Sequence, residues 1–329
     1  MSEVAPPPRG VYVPVPTWFK SSPSGTTLDH NTQATHAVYL ARAGICGLVL
    51  LGSTGEAVHL TSTERTDLIK NVRSALNTAG FLDYPLIAGT ATQSVAETLQ
   101  HLKEAKDAGA QWGLCLAPGY FAPVVAQQGL VEWFEGVAEE SALPIMVYHY
   151  PGVSNNVALT PKTMERLANN PKIVGCKLSH GSIDDHTLIA LSKSIDHTKF
   201  RTFTGLGQQL LPAMTVGCGG AIDGLAAAFP RTLVGLFDNR TTKIWIQEAE
   251  SPLAAARDGQ LAVSRAEKLV VQWGVLGIKE AVRRVLSIGV DSVSRPPLQD
   301  HGLPGGEEEW SKWSPELQEV RVIEERLSG

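Results

Sequence analysis

A lysine sits inside an otherwise apolar run, Ile173-Val174-Gly175-Cys176-Lys177-Leu178-Ser179. Burying an ammonium is costly, so such a lysine sheds its proton more easily and becomes a nucleophile near neutral pH. The competing reading is a lysine neutralised by a buried carboxylate; a buried lysine with no partner is rare. Other apolar runs end in groups that could join this chemistry. Gly52-Ser53-Thr54-Gly55-Glu56 follows one of them. Its glycines free the backbone to turn tightly, so that hydroxyls and amides of Ser53 and Thr54 can face a small carboxylate. An ordinary glycine-rich turn is the plainer alternative. Tyr148 closes a second run, in Tyr148-His149-Tyr150-Pro151-Gly152, and Tyr120 follows a third, in Pro118-Gly119-Tyr120-Phe121. A phenol beside an amine can donate and recover protons, although tyrosines in such places more often pack than react.

Two further groupings bear on metal and phosphate chemistry. His180, Asp184, Asp185 and His186 are close in sequence. Acids there also suit the start of a helix, and no cysteine pair has metal-ligand spacing, so no metal is expected. Gly205-x-Gly207 and Gly217-x-Gly219-Gly220 could approach a phosphate, but no basic residue accompanies them.

These residues need elements to hold them. Short apolar runs occur at Gly10–Pro16, Gly47–Gly52, Pro85–Thr90, Trp112–Ala117, Pro144–Tyr150, Ile173–Ser179, Phe200–Gly205 and Gly220–Leu225. Each is too short for a helix and suits a parallel strand covered on both faces. Helical patterns lie between them. Thr61-x-x-Glu64 and Ser94-x-x-Glu97 read as capping boxes, and Ala43-Gly44, Ala108-Gly109 and Val216-Gly217 read as glycine-terminated helix ends. Eight such alternations predict an α/β fold, a (β/α)8 barrel with a C-terminal helical extension; an open doubly wound sheet is the alternative. The divisions expected are a loose tail over 1–9, the barrel over 10–250 and the extension over 251–329. The eighth barrel helix is expected near Thr232–Glu248. Extension helices are expected near Asp258–Val275, Ile278–Ile288 and Glu316–Leu327, with a surface loop over Arg295–Glu309.

The 329 residues are 43% hydrophobic and 19% charged, with net charge −5, so a large core is affordable and wholesale disorder is excluded. No basic stripe interleaved with aromatics suggests nucleic acid, and no apolar run reaches membrane-spanning length. The N-terminus carries no signal-peptide pattern and the four cysteines are widely spaced, which points to reduced thiols in the cytoplasm.

In combination the motifs become specific. Gly-Ser-Thr-Gly-Glu, then Tyr-x-x-Pro, then Gly-x-Lys, with Tyr148 standing 29 residues before Lys177, resembles the dihydrodipicolinate synthase / N-acetylneuraminate lyase family. The opening Gly10-x-x-x-Pro14-x-x-Thr17-x-Phe19 looks like that family's first strand. The resemblance runs from about residue 10 to 290. It implies a class I, imine-forming lyase in which pyruvate is the keto partner and no dissociable cofactor is needed. Lys177 would form the Schiff base and Tyr148 would shuttle protons. Gly52, Ser53 and Thr54 would bind the substrate carboxylate, with Thr54 also linking Tyr148 to a second tyrosine. Tyr120 would be that second tyrosine, reaching a neighbouring subunit's site in a dimer or tetramer. Gly205 and Ile222 would line the pocket opposite the imine. Where the biosynthetic synthases carry an arginine this chain has Val153, and His149 stands where asparagine is frequent. These departures point away from lysine biosynthesis and toward the branch of 4-hydroxy-2-oxoglutarate and 2-keto-3-deoxy sugar-acid aldolases. Dehydration or condensation through the same imine remains open, as do a metal- or phosphate-binding barrel and a non-catalytic metabolite binder.

Overall fold

A computed structural model describes residues 5–23, 25–238, 251–298 and 301–328. Eight parallel strands close into a barrel. They are β1 (Gly10–Pro14), β4 (Gly47–Leu50), β5 (Leu86–Thr90), β6 (Trp112–Leu116), β7 (Ile145–His149), β8 (Ile173–Leu178), β9 (Arg201–Thr204) and β10 (Gly220–Ile222), with β10 pairing back onto β1. All eight apolar runs are therefore strands. Their buried, near-continuous apolar character follows from helices covering the outside while side chains fill the inside.

Barrel helices lie between successive strands, among them α1 (His30–Arg42), α2 (Ser62–Thr78), α3 (Val95–Asp107), α4 (Gln127–Glu140), α5 (Pro161–Leu167), α6 (Ile183–Ala190), α7 (Leu210–Thr215) and α8 (Pro230–Phe237). Thr61 and Glu64 form the full reciprocal cap of α2. Ser94 caps α3 only one way, by accepting from the Glu97 amide. Gly44, Gly109 and Gly217 all take positive φ, as expected where a helix must stop and the chain turn into a strand.

Several expectations need correction. The tail is not loose from Ala5 onward: the Trp112 indole donates to the Ala5 carbonyl at 3.0 Å and the Tyr12 hydroxyl to the Pro8 carbonyl at 2.9 Å. A hairpin of β2 (Phe19–Ser22) and β3 (Gly25–Leu28) follows β1 and was not foreseen. Of the helix expected over Thr232–Glu248, residues 239–248 lie outside the described residues. The extension's first helix, α9 (Pro252–Leu286), starts six residues earlier than expected, with Ser251 as its cap. It breaks at Gly274 (φ 52°, ψ −130°), close to the expected boundary between two helices. The last helix, α10 (Gly306–Arg326), begins inside the stretch read as a loop.

The extension is fastened to the barrel by buried charge. Lys279 pairs with Glu56 of the turn after β4. Arg295 pairs with Glu64, which pulls that carboxyl down to about 2. The Glu324 carboxylate accepts from the amides of Arg231 and Thr232 at 3.0 and 2.7 Å. One consequence is that α9 crosses the mouth of the barrel.

Candidate active site

Strand register decides which side chains share the barrel mouth. Lys177 on β8 pairs with Tyr148 on β7 and with Phe203 on β9. Side chains directly paired in register project from the same face. A register shift around Gly175 inserts one extra residue, so both Val174 and Lys177 face inward although they stand three positions apart. The Lys177 amine lies 4.6 Å from the centre of the Tyr148 ring. Lys177 is only 4% exposed. Burial lowers its pKa to about 7, against the opposing pull of Asp223. The free amine is therefore abundant at neutral pH, which an exposed lysine cannot offer.

Tyr148 is the nearest proton carrier. Its hydroxyl is 3.1 Å from Ser53 Oγ. Burial raises the phenol to about 12, while hydrogen bonds from Ser53 and Ser179 restrain the rise. It remains protonated across the physiological range and can pass protons along hydroxyls without ionising in the resting state.

The turn that carries Ser53 is strained in a useful way. Leu51 takes φ 61°, which costs free energy for a branched residue and takes the chain out of strand alternation. Gly89 makes room for it: a Cβ there would overlap the Leu51 carbonyl. The hydroxyl that reaches Tyr148 is consequently that of Ser53, and the link expected of Thr54 is corrected to Ser53. Thr54 instead lines the cavity over Lys177.

Two cavities open here. One, of about 490 Å³, is lined by Lys177, Thr54, Tyr150, Gly205, Ile222 and residues of α9. The other, of about 420 Å³, is lined by Gly52, Gln93, Gly119, Tyr120 and Asn155. Ser53, Tyr148 and Val153 line both. The fold thus gathers Lys177, Tyr148, Ser53, Thr54, Gly205 and Ile222 around one space, with Gly52 and Tyr120 around its neighbour. Tyr120 is 73% exposed and stands edge-on to Phe121, their centroids 5.0 Å apart.

A sequence model of the dihydrodipicolinate synthetase family matches residues 8–300. This chain belongs to that family. An L-threo-3-deoxy-hexylosonate aldolase of Aspergillus niger is 32% identical over 301 residues, covering 85% of this chain and 87% of the relative. A relative from Emericella nidulans, named a probable mitochondrial 4-hydroxy-2-oxoglutarate aldolase, is 32% identical over 281 residues, covering 85% of this chain and 86% of that one. A solved structure of a family member from Coccidioides immitis is 28% identical, with TM-score 0.81 over 97% of this chain and 98% of that chain. The family member YagE of E. coli K12, solved in complex with pyruvate, is 25% identical, with TM-score 0.78 over 95% and 98%.

Within this family member, several site residues were not singled out from sequence. Ser179 and Tyr150 each stand two positions beyond a recognised residue, Lys177 and Tyr148, so the two-residue strand repeat was the available signal. Asp223 follows Ile222 directly. Its carboxylate accepts from the amides of Gly207 at 2.9 Å and Ala226 at 3.0 Å. His180 and His186 of the histidine–acid grouping lie beside a third ring, His149, with ring centroids 4.5 Å apart for His149 and His180 and 5.4 Å apart for His180 and His186. Burial lowers all three. His149 Nε2 accepts from the Leu159 amide at 3.1 Å, so it fastens a loop. Among the described residues no group of three His, Cys, Asp or Glu is arranged to hold a metal ion, and no helix is long and apolar enough to cross a membrane.

Gly205 offers a local test. A Cβ there would overlap Ser179 Oγ and come within 3.0 Å of Lys177 Cε. Gly205→Ala should displace the amine by a fraction of an ångström and lower kcat by roughly 10- to 100-fold. An unchanged melting temperature beside that loss would locate the effect at the lysine; unchanged kcat would show that this contact does not position it.

Proposed function

We propose that the chain is a class I aldolase that splits a 4-hydroxy-2-oxo acid into pyruvate and an aldehyde, or joins them. The observation that carries this reading is the buried Lys177 amine, with its pKa near 7, lying against Tyr148. The solved relative that holds pyruvate supports the keto partner, and the relatives named as aldolases support the reaction class.

The geometry supports the following steps. Amides and hydroxyls of the Ser53-Thr54 turn hold the substrate carboxylate and orient C2. Lys177 attacks C2 and water leaves, with Tyr148 carrying the proton to the departing oxygen. The protonated imine then accepts the C3–C4 bonding pair as the C4 hydroxyl loses its proton. An aldehyde departs and an enamine of pyruvate remains. Protonation at C3 and hydrolysis release pyruvate and restore the amine. The imine supplies the electron sink, so no dissociable cofactor or metal has a step to perform.

Tyr120 completes the proposal at the level of assembly. Tyr120 lines the second cavity, and with Phe121 (67% exposed) and Val124 (81%) it forms an exposed apolar rim on the chain after β6. We assign this rim to a neighbouring subunit in a dimer or tetramer. A cytoplasmic site of action fits the four unpaired cysteines; the mitochondrial address in a relative's name is that protein's own.

The test is incubation with pyruvate and borohydride, then intact mass and peptide mapping. The expected result is one reduced pyruvate adduct, on Lys177. A folded protein that gains no adduct, or gains it elsewhere, would refute the imine.

A further inference from the structure

The charges around the two cavities bear on the other half of the substrate. Among the described residues that line them, Lys177 is the one lysine or arginine. That amine is consumed by the imine. The second cavity carries no charged side chain at all, and its polar lining consists of neutral groups such as Gln93, Ser154 and Asn155. His180 faces the first cavity, but burial and the neighbouring His186 ring push its pKa down.

Two carboxyl groups also line the first cavity, those of Asp223 and Glu267. The Asp223 carboxylate accepts from two backbone amides. Glu267, projecting from α9, is buried against Asp223, both carboxyls lying over the open face of Gly207. Burial, together with the neighbouring Asp223 carboxylate, pushes the Glu267 carboxyl well above the usual carboxylate range. Beside them stand the aliphatic side chains Val153, Leu206, Val270, Val271 and Ile278, with Gln208 as a neutral polar neighbour. A keto acid's own carboxylate has the Ser53-Thr54 turn. A carboxylate at the far end would be desolvated with no cation to meet it and would face Asp223.

We propose that this site is built for a substrate whose aldehyde half is uncharged, with the Asp223–Glu267 pair and the aliphatic wall of α9 excluding a second carboxylate. The inference rests on the aldolase reading and narrows it. The synthetic reaction joins C3 of the pyruvate enamine to the carbonyl carbon of a neutral aldehyde; C3 gives up a proton and the aldehyde oxygen gains one.

Glycolaldehyde and glyoxylate are close in size and differ in charge, so they form the test pair. With saturating pyruvate and the full-length protein, kcat/KM for glycolaldehyde should exceed that for glyoxylate by roughly 100-fold. Val153→Arg, at the junction of both cavities, and Asp223→Asn should each shift the ratio toward glyoxylate by about 10-fold or more. A merely structural role would lower both substrates together and leave the ratio fixed. Equal use of the two aldehydes by the wild type, or a ratio that neither variant moves, overturns the inference. Exchange of the pyruvate C3 protons in deuterium oxide needs the imine and no aldehyde. Exchange accompanied by glyoxylate preference sinks this inference alone, whereas absence of exchange sinks the aldolase reading beneath it.

Discussion

Lys177→Met is expected to lower aldol turnover by roughly 10⁴-fold or more, on the order of 5 kcal/mol at the barrier, and to raise the stability of the fold. The activity loss follows because methionine keeps the shape and volume of the side chain but supplies no amine for C2. The stability gain follows from linkage. The Lys177 pKa falls from 10.5 to about 7 on burial. A base whose folded pKa is depressed penalises the folded state fully below that folded pKa, and the penalty fades as pH rises to the unfolded value. The gain should therefore be largest at pH 7 and below and vanish near pH 10.5, with ~5 kcal/mol as an upper bound at about 1.36 kcal/mol per pH unit. Denaturant melts of both proteins at several pH values check it. A destabilised Lys177→Met variant would mean that the lysine belongs to a structural ion pair with Asp223 instead. In the wild type, the rate of pyruvate adduct formation should be half-maximal near pH 7 and fall about tenfold per unit below that.

The same lysine shows why part of this site was legible in one sequence. A charged residue inside an apolar strand is a local contradiction, and such contradictions tend to mark function. The eight strands were legible for the same local reason, because a strand buried on both faces reads as an apolar run. What failed was information carried elsewhere. The β2–β3 hairpin is polar on its outer face and packs only through residues such as Phe19, which sits beneath Lys279 and Arg295. The last helix was expected to start at residue 316, yet Pro315 lies inside α10, whose true first turn is marked by Glu307, Glu308 and Glu309. Ser251-Pro252 was an overlooked start signal for α9. Within the site, Ser53 and Thr54 were adjacent candidates, and only the left-handed backbone at Leu51 decides which hydroxyl meets Tyr148. Glu267 had no local signal. It enters the cavity because a helix of the extension folds back across the barrel, a long-range fact that periodicity does not encode.

Tyr148→Phe tests the proton path, and its expected effect is the second largest. The ring would stay in place against Lys177, so pyruvate should still enter and the fold should persist. The hydroxyl that bonds Ser53 at 3.1 Å would be gone. Removing a positioned proton carrier costs about 10²- to 10⁴-fold, so kcat should fall by roughly 10³ while KM for pyruvate moves little. Ser53→Ala interrupts the same path one step out and should cost about tenfold. Because the two hydroxyls form one chain, the double variant should be no slower than Tyr148→Phe alone. Additive losses would show that Ser53 acts separately, through the substrate carboxylate. A Tyr148→Phe enzyme within a few-fold of wild type would remove the phenol from the mechanism and leave bound water or Ser179 as the proton carrier. Since burial holds the phenol near 12, wild-type activity should show no phenolate limb below about pH 10. The acid side of the profile would then belong to Lys177 and the neutral plateau to a protonated Tyr148, two groups moved in opposite directions by the same burial.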